Sequence, residues 1–260
     1  NNPGKRCVMN FPGNLPFPRV AAFFDLDGTL IAEPSLERRL YAVLRSSREI
    51  PITNYVRWAT HALRLLPRGL AAVQHGNKRY LCGVRCDRAL WHMESFPIFE
   101  EAIARLAWHS RQGHELVLIT GTLEPLAHMA ATALECELEA RGIEARIQVC
   151  ASRLEEDRGR WTGRLLGDAM FGEAKRSAMQ QYAKRRGLDL CDCHAYGNSP
   201  LDAFMLAAAG HAHAVNPNKQ LATLANLYDW TIWHWHHEKN LSSTAGPVQE
   251  SQIQQVEGQV

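Results

Sequence analysis

The chain has 260 residues, 46% of them hydrophobic, and a formal net charge of +2, an ordinary composition for a globular protein. No apolar run approaches the roughly 20 residues that span a bilayer, so no transmembrane segment is expected. The length suffices for a sizeable core, in one large domain or in a domain with an insertion.

Residues 1–18 are rich in Pro, Gly and Asn and read as an irregular leader. Lys5 and Arg6 precede no apolar stretch, so no signal peptide is expected. Residues 20–24 form a short apolar run that reads as a buried strand. It feeds directly into Asp25-Leu26-Asp27-Gly28-Thr29. Residues i and i+2 of an extended chain point to the same side, so the two carboxylates can converge on one spot. Ligands of open α/β sheets bind outside the carboxyl ends of strands, where this pair is expected. Two close carboxylates suit phosphoryl transfer. One is ionised at neutral pH and can act as a nucleophile, and the pair attracts Mg²⁺.

Residues 34–97 carry helical periodicity. Leu36, Leu40, Val43 and Leu44 share a face, a second helix is expected from about Ile52 to Leu66, and others near Leu70–Val73 and Asp87–Met93. From Pro97 the pattern alternates. A helix is expected over Ile98–Arg111, a strand over Glu115–Thr120 and a helix over Leu123–Ala140. A strand over Arg146–Ala151 follows, and Trp161-Thr162-Gly163-Arg164 reads as a hairpin turn. The remaining elements are a helix over Glu173–Arg186, a strand over Cys193–Tyr196, a helix from Asn198 to about Ala209, a strand over Ala212–Val215 and a helix from Pro217. Alternating strands and helices imply βαβ units and a parallel sheet. Thr231–His237, with alternating Trp and His, reads as an edge strand in preference to a metal tract. Residues 241–260 are polar and read as a disordered tail.

Charge is unevenly spread. Residues 34–97 hold 11 Lys/Arg against 4 Asp/Glu, and residues 98–260 hold 15 against 20. The basic middle suits an anionic ligand or membrane surface. No nucleic-acid-binding motif accompanies it, so no nucleic-acid partner is expected. The seven cysteines are scattered, and neither Cys82-x-x-x-Cys86 nor Cys191-Asp192-Cys193-His194 has the spacing of a structural zinc site. Free thiols fit a reducing cytosol, and a cytoplasmic location is expected.

Four motifs stand in a fixed order: Asp25-Leu26-Asp27-Gly28-Thr29, Leu116-Val117-Leu118-Ile119-Thr120-Gly121-Thr122, Gly172-Glu173-Ala174-Lys175 and Gly197-Asn198-Ser199-Pro200-Leu201-Asp202. In kind, order and spacing they resemble motifs I to IV of the haloacid dehalogenase-like hydrolase superfamily, most closely its phosphoserine phosphatase-like branch. The resemblance implies an α/β fold: a three-layer, Rossmann-like parallel sheet core with a helical C1 cap inserted after the first strand. The core would be 1–33 and 97–240, and the cap 34–96. It further implies a Mg²⁺-dependent phosphomonoesterase acting on a small-molecule phosphate ester through an aspartyl-phosphate. Asp25 would be the nucleophile and Asp27 the general acid and base. Gly28, Thr120, Gly121 and Lys175 would bind the phosphate, and Asp25, Asp27, Asn198 and Asp202 would hold the metal, with Lys175 or metal-bound water as the alternative partner of Asp202.

Two departures stand out. Asn198 occupies a place where the family most often has Asp, and an Asn oxygen coordinates a hard cation without supplying charge. Phosphoserine phosphatases also carry a Glu after motif I that reads the substrate amine. Here Pro34 stands in that place and Glu33 falls one position early, so a larger or lipid-like ester is an alternative. Arg57, Arg64, Lys78, Arg79 and Arg85 are the cap cations available to it. A phosphotransferase or mutase, and a non-catalytic phosphate-ester-binding protein, are the competing functions. Sequence leaves the oligomeric state open.

Overall fold

A computed structural model describes residues 19–87 and 96–236. The expected leader, the tail at 241–260, and the part of the helix expected near Asp87–Met93 that follows residue 87 lie outside them.

The centre is a six-stranded parallel sheet in the order β3-β2-β1-β6-β7-β8. Its strands are β1 (Ala21–Phe24), β2 (Glu115–Leu123), β3 (Ile147–Ser152), β6 (His194–Gly197), β7 (His211–Val215) and β8 (Thr231–Trp233). The chain leaves β1 toward β2 on one side and returns to β6 on the other, so strand order reverses between β1 and β6. Such a reversal opens a crevice at the carboxyl ends of the two strands. Phe24 pairs with Leu118 on one side and with Tyr196 on the other, which fixes Asp25 as the next residue out of the sheet.

Both faces of the sheet are covered, which is why the central strands read as unbroken apolar runs. Ala22, Phe24, Leu116 and Leu118 face helices α4 (Glu100–Arg111) and α5 (Glu124–Glu139). Ala21, Phe23, Val117 and Ile119 face α6 (Glu173–Arg186), α7 (Ala203–Leu206) and α8 (Lys219–Leu227). Helix α6 keeps the expected bounds and stops at Gly187, whose left-handed backbone (φ 67) admits glycine cheaply. The helix expected from Asn198 to Ala209 is shorter, a 3₁₀ turn at Pro200–Asp202 followed by α7.

Between β1 and β2 stand helices α1 (Leu36–Ser46), α2 (Ile52–Leu65) and α3 (Leu70–Gly76). A separate antiparallel pair, β4 (Leu154–Asp157) and β5 (Arg160–Leu165), packs on this helical segment. Trp161 exchanges backbone hydrogen bonds with Gly83 and Val84 at 2.7 and 3.0 Å. The hairpin turn expected at Trp161–Arg164 is therefore misplaced. The loop is Arg158-Gly159, both with positive φ (49 and 76), as a two-residue primed turn requires. The Gly163 that suggested a turn lies in β5, where an added Cβ would come within 2.9 Å of the Lys78 carbonyl oxygen. Glycine there marks a close backbone approach.

The Trp- and His-rich stretch supplies β8, the edge strand parallel to β7, with Trp235 buried just beyond it. Among the described residues no helix is long and apolar enough to cross a membrane, and six cysteines are free thiols.

Candidate active site

A cavity of about 680 Å³ opens at the carboxyl ends of β1, β2 and β6, beneath α1, α2 and α3. Asp25, Asp27, Thr120, Gly121, Lys175, Asn198 and Asp202 all line it. The strand ends thus bring together residues up to 177 positions apart in sequence.

Lys175 organises the floor. It sits in the first turn of α6 with its side chain 2% exposed. Its Nζ donates to Asp25 Oδ1 at 2.5 Å and to Asp202 Oδ1 at 2.6 Å. A buried cation costs several kcal/mol of desolvation unless paired, and two carboxylates pair this one. Burial alone would lower the Lys175 pKa, but Asp202 and Asp25 more than offset it and hold the ammonium charged. Burial raises the Asp25 carboxyl to about 7, against the opposing pull of Lys175. Thr29 Oγ1 donates to the other Asp25 oxygen at 3.2 Å.

Both oxygens of Asp202 accept hydrogen bonds. Oδ1 takes Lys175, and Oδ2 accepts from the Asn198 N–H (3.2 Å), the Ser199 N–H (3.0 Å) and the Ser199 hydroxyl (2.8 Å). Asp202 is thus tied to Lys175 and to its own loop. Gly28 is likewise redirected. Its N–H donates to the Ile31 carbonyl at 2.7 Å, so it is not free for a phosphate oxygen. Glycine is required there for conformation (φ 82) and because a Cβ would lie 2.0 Å from Asn198 Nδ2.

Asp27 is held from two sides. The Leu36 N–H, at the start of α1, donates to Oδ1 at 2.8 Å, and the Thr122 hydroxyl donates to Oδ2. Burial raises the Asp27 carboxyl to about 6, although both hydrogen bonds oppose it. A carboxyl near 6 can both hold and release a proton close to neutrality. The buried Thr120 accepts the Thr122 N–H at 3.1 Å, which leaves its hydroxyl hydrogen for the cavity. Gly121 lies under the Phe171 ring, so closely that a Cβ would meet it at 2.0 Å.

Sequence reasoning missed Thr122 as the partner of Asp27, although it stands two positions after Thr120 on the same strand. It also missed the cavity's aromatic wall of Tyr41, Tyr55, Trp58, Tyr80 and Phe171. Of the five cations named from sequence, Lys78 alone lines the cavity, ion-paired to Glu37. Arg57 donates to Asn54, and Arg85 pairs with Asp87 outside it. Glu33 does line the cavity, with one oxygen accepting the Ser35 N–H at 2.8 Å.

A family model for haloacid dehalogenase-like hydrolases matches residues 22–207. A probable phosphatase of Mycobacterium tuberculosis is 29% identical over 241 residues, covering 85% of this chain and 77% of the relative. An inhibition of morphological differentiation protein of Streptomyces azureus is 28% identical over 247 residues, covering 88% and 83%. Among solved structures, a Bordetella pertussis protein of unknown function superposes with a TM-score of 0.64 at 24% identity, covering 83% of this chain and 98% of that one. A phosphoserine phosphatase captured as a phospho-aspartyl intermediate analogue superposes at 0.58 and 18% identity, covering 85% and 95%. With a match that spans most of its length and all four motifs, the chain belongs to the haloacid dehalogenase-like hydrolase family.

Proposed function

We propose that the chain is a Mg²⁺-dependent phosphomonoesterase that works through an aspartyl-phosphate on Asp25. The observation that carries the reading is the buried Lys175 bridge between Asp25 and Asp202, with the doubly anchored Asp27 lining the same cavity. Helices α1–α3 with the β4–β5 hairpin act as the cap.

Asp25 attacks the substrate phosphorus, an Asp25 O–P bond forms and the ester P–O bond breaks. Asp27 gives its proton to the leaving oxygen. Water then attacks the phosphorus of the aspartyl-phosphate while Asp27 takes its proton, which frees phosphate and restores both carboxyl groups. Lys175 and the Thr120 hydroxyl face the charge that develops on the transferring oxygens. Thr122 and the Leu36 N–H orient Asp27 throughout, so the acid is held from the cap side as well as from the sheet.

The donor set fits Mg²⁺, which takes oxygen ligands. Asp25 offers a carboxylate oxygen, Asp27 can offer its main-chain carbonyl oxygen while its carboxyl carries the proton, and the Asn198 amide, beside Gly28, makes no hydrogen bond among the described residues. These three would hold the ion, which when bound neutralises phosphate charge. The aromatic wall favours an ester with a sizeable apolar body, small or lipid-like, over phosphoserine.

Phosphate release from a panel of esters, with and without Mg²⁺ and with Asp25→Asn as the control, tests the reading. Release that needs both Mg²⁺ and Asp25 supports it. Tight ester binding without turnover by the natural chain, with turnover restored by Asn198→Asp, would instead identify a non-catalytic relative.

A further inference from the structure

Helix α2 turns an apolar face outward. Its apolar residues Ile52, Val56, Ala59 and Leu63 recur at i, i+4, i+7 and i+11 spacing, and Leu66, in the turn that follows, continues the same face. In a helix seated on a protein body that face is buried. Here it looks outward: Ile52 is 83% exposed, Val56 64%, Leu63 71% and Leu66 50%, and Leu70 just beyond is 68% exposed. The side turned to the body is narrow, made of Asn54, His61, Ala62 and Leu65. Asn54 is its one fully buried residue, donating to the Tyr80 and Cys82 carbonyls at 3.0 and 2.6 Å, and His61 meets Asn77 at 3.1 Å. Body contacts therefore fix the helix in this orientation and leave the stripe without a partner among the described residues. Contiguous exposed apolar surface of this kind marks an interaction face.

Its surroundings specify the partner. From residue 50 to residue 86 there are six Lys/Arg and no Asp or Glu. Arg57 and Arg64 flank the stripe on α2, and neither has a carboxylate partner among the described residues. An apolar helix face bordered by arginines, with Tyr55 and Trp58 at its other edge, suits the headgroup layer of an anionic membrane. Lys78 and Arg85 pair with Glu37 and Asp87, but a second copy of the chain would bring the unpaired Arg57 and Arg64 to the contact again, which works against self-association. Tyr55 and Trp58 also line the active-site cavity, so the stripe runs to the cavity mouth.

We propose that the outward face of α2 docks the protein on an anionic lipid surface. This goes beyond the phosphatase reading and does not depend on it. The test is sedimentation of the full chain with vesicles of phosphatidylcholine alone or mixed with phosphatidylglycerol, at low and high salt. The expected result is binding to the mixed vesicles that weakens with salt, falls more than tenfold in Val56→Glu/Leu63→Glu, and falls roughly fivefold for each of Arg57→Gln and Arg64→Gln. Val56 and Leu63 are exposed, so circular dichroism and the melting curve of the double variant should match the natural chain. No binding to either vesicle overturns the proposal, as does binding unchanged by the double variant. Light scattering that shows a dimer dissolved by Val56→Glu/Leu63→Glu, with no vesicle binding, overturns it in favour of a contact between copies. Loss of phosphatase activity on soluble esters has no bearing on these readouts.

Discussion

Two polar clusters lie on the sheet, one at the carboxyl ends of β1 and β6 and one toward the amino ends of β6 and β7, and they solve the same burial problem in opposite ways. At the carboxyl end Lys175 stays charged, held between Asp25 and Asp202. At the amino end the groups stay neutral. His109 and His114 share a hydrogen bond at 2.8 Å, and His109 bonds the Tyr196 hydroxyl at 2.8 Å. His194 and His213 share another at 3.1 Å. Trp233 Nε1 can only donate, and it points to His213 Nδ1 at 3.2 Å. Neutral His213 therefore carries its proton on Nε2 and donates it to His194. Burial lowers His109 to about 2, His213 to about 3 and His194 to about 4, aided by neighbouring histidines and by Arg105. The lesson is that burial sets the demand and the partner decides the outcome. Where a counter-charge is supplied the site keeps its ions, and where only hydrogen bonds are supplied it discards them.

The comparison predicts a ranked set of effects. Asp25→Asn should lower turnover by about 10³-fold or more, since the proposed acyl-phosphate forms on the Asp25 carboxylate. Lys175→Met should cost about 3–5 kcal/mol of stability, because it strands two buried carboxylates, and should also abolish turnover. Denaturant midpoints and phosphate-release rates check both. A Lys175→Met variant as stable as the natural chain would break the contrast between the two ends.

At the neutral end the effect is smaller and depends on pH. A histidine whose folded pKa lies below its unfolded value near 6.5 stabilises the fold fully above 6.5, and that stability drains away as pH falls toward the folded value. His109, wholly buried, should therefore account for about 1–2 kcal/mol of stability lost between pH 7 and pH 5. Urea unfolding of His109→Gln, which cannot titrate, should show a shallower fall over that window. An equal slope would mean that the cluster does not hold its neutral state.

Two finer changes sharpen the charged end. Thr122→Val removes a donor that lowers the Asp27 pKa, so the carboxyl should rise further above 6. Turnover should drop about 10–10²-fold, with the limb of the kcat profile that reports the required acid moving to higher pH. Asn198→Asp adds a charge to the proposed cation site and should lower the Mg²⁺ concentration for half-maximal rate roughly tenfold, about 1.4 kcal/mol.

Much of the charged end was legible in the sequence, because each motif residue follows the strand that positions it. A buried apolar run predicts where Asp25, Thr120 and Asn198 emerge, and sheet order alone then brings them together. Thr122 was not legible as the partner of Asp27, since nothing local ties residues 95 positions apart. The aromatic wall comes from four separate stretches and has no spacing to read. Periodicity marked α2 as a helix, but the side on which a helix is seated depends on contacts such as Asn54 with the Tyr80 carbonyl, which periodicity does not encode. The neutral cluster was half visible: the Trp- and His-rich end suggested an edge strand, while His109, His114 and His194 arrive from other elements.

The central claim is that Asp25 carries the phosphoryl group. The most direct measurement is an acid quench of the enzyme during turnover of a ³²P-labelled ester, with the label mapped by peptide and the rate of Asp25→Asn taken in parallel. The account predicts label on the peptide holding Asp25 and no turnover in the variant. Undiminished turnover by Asp25→Asn would contradict it.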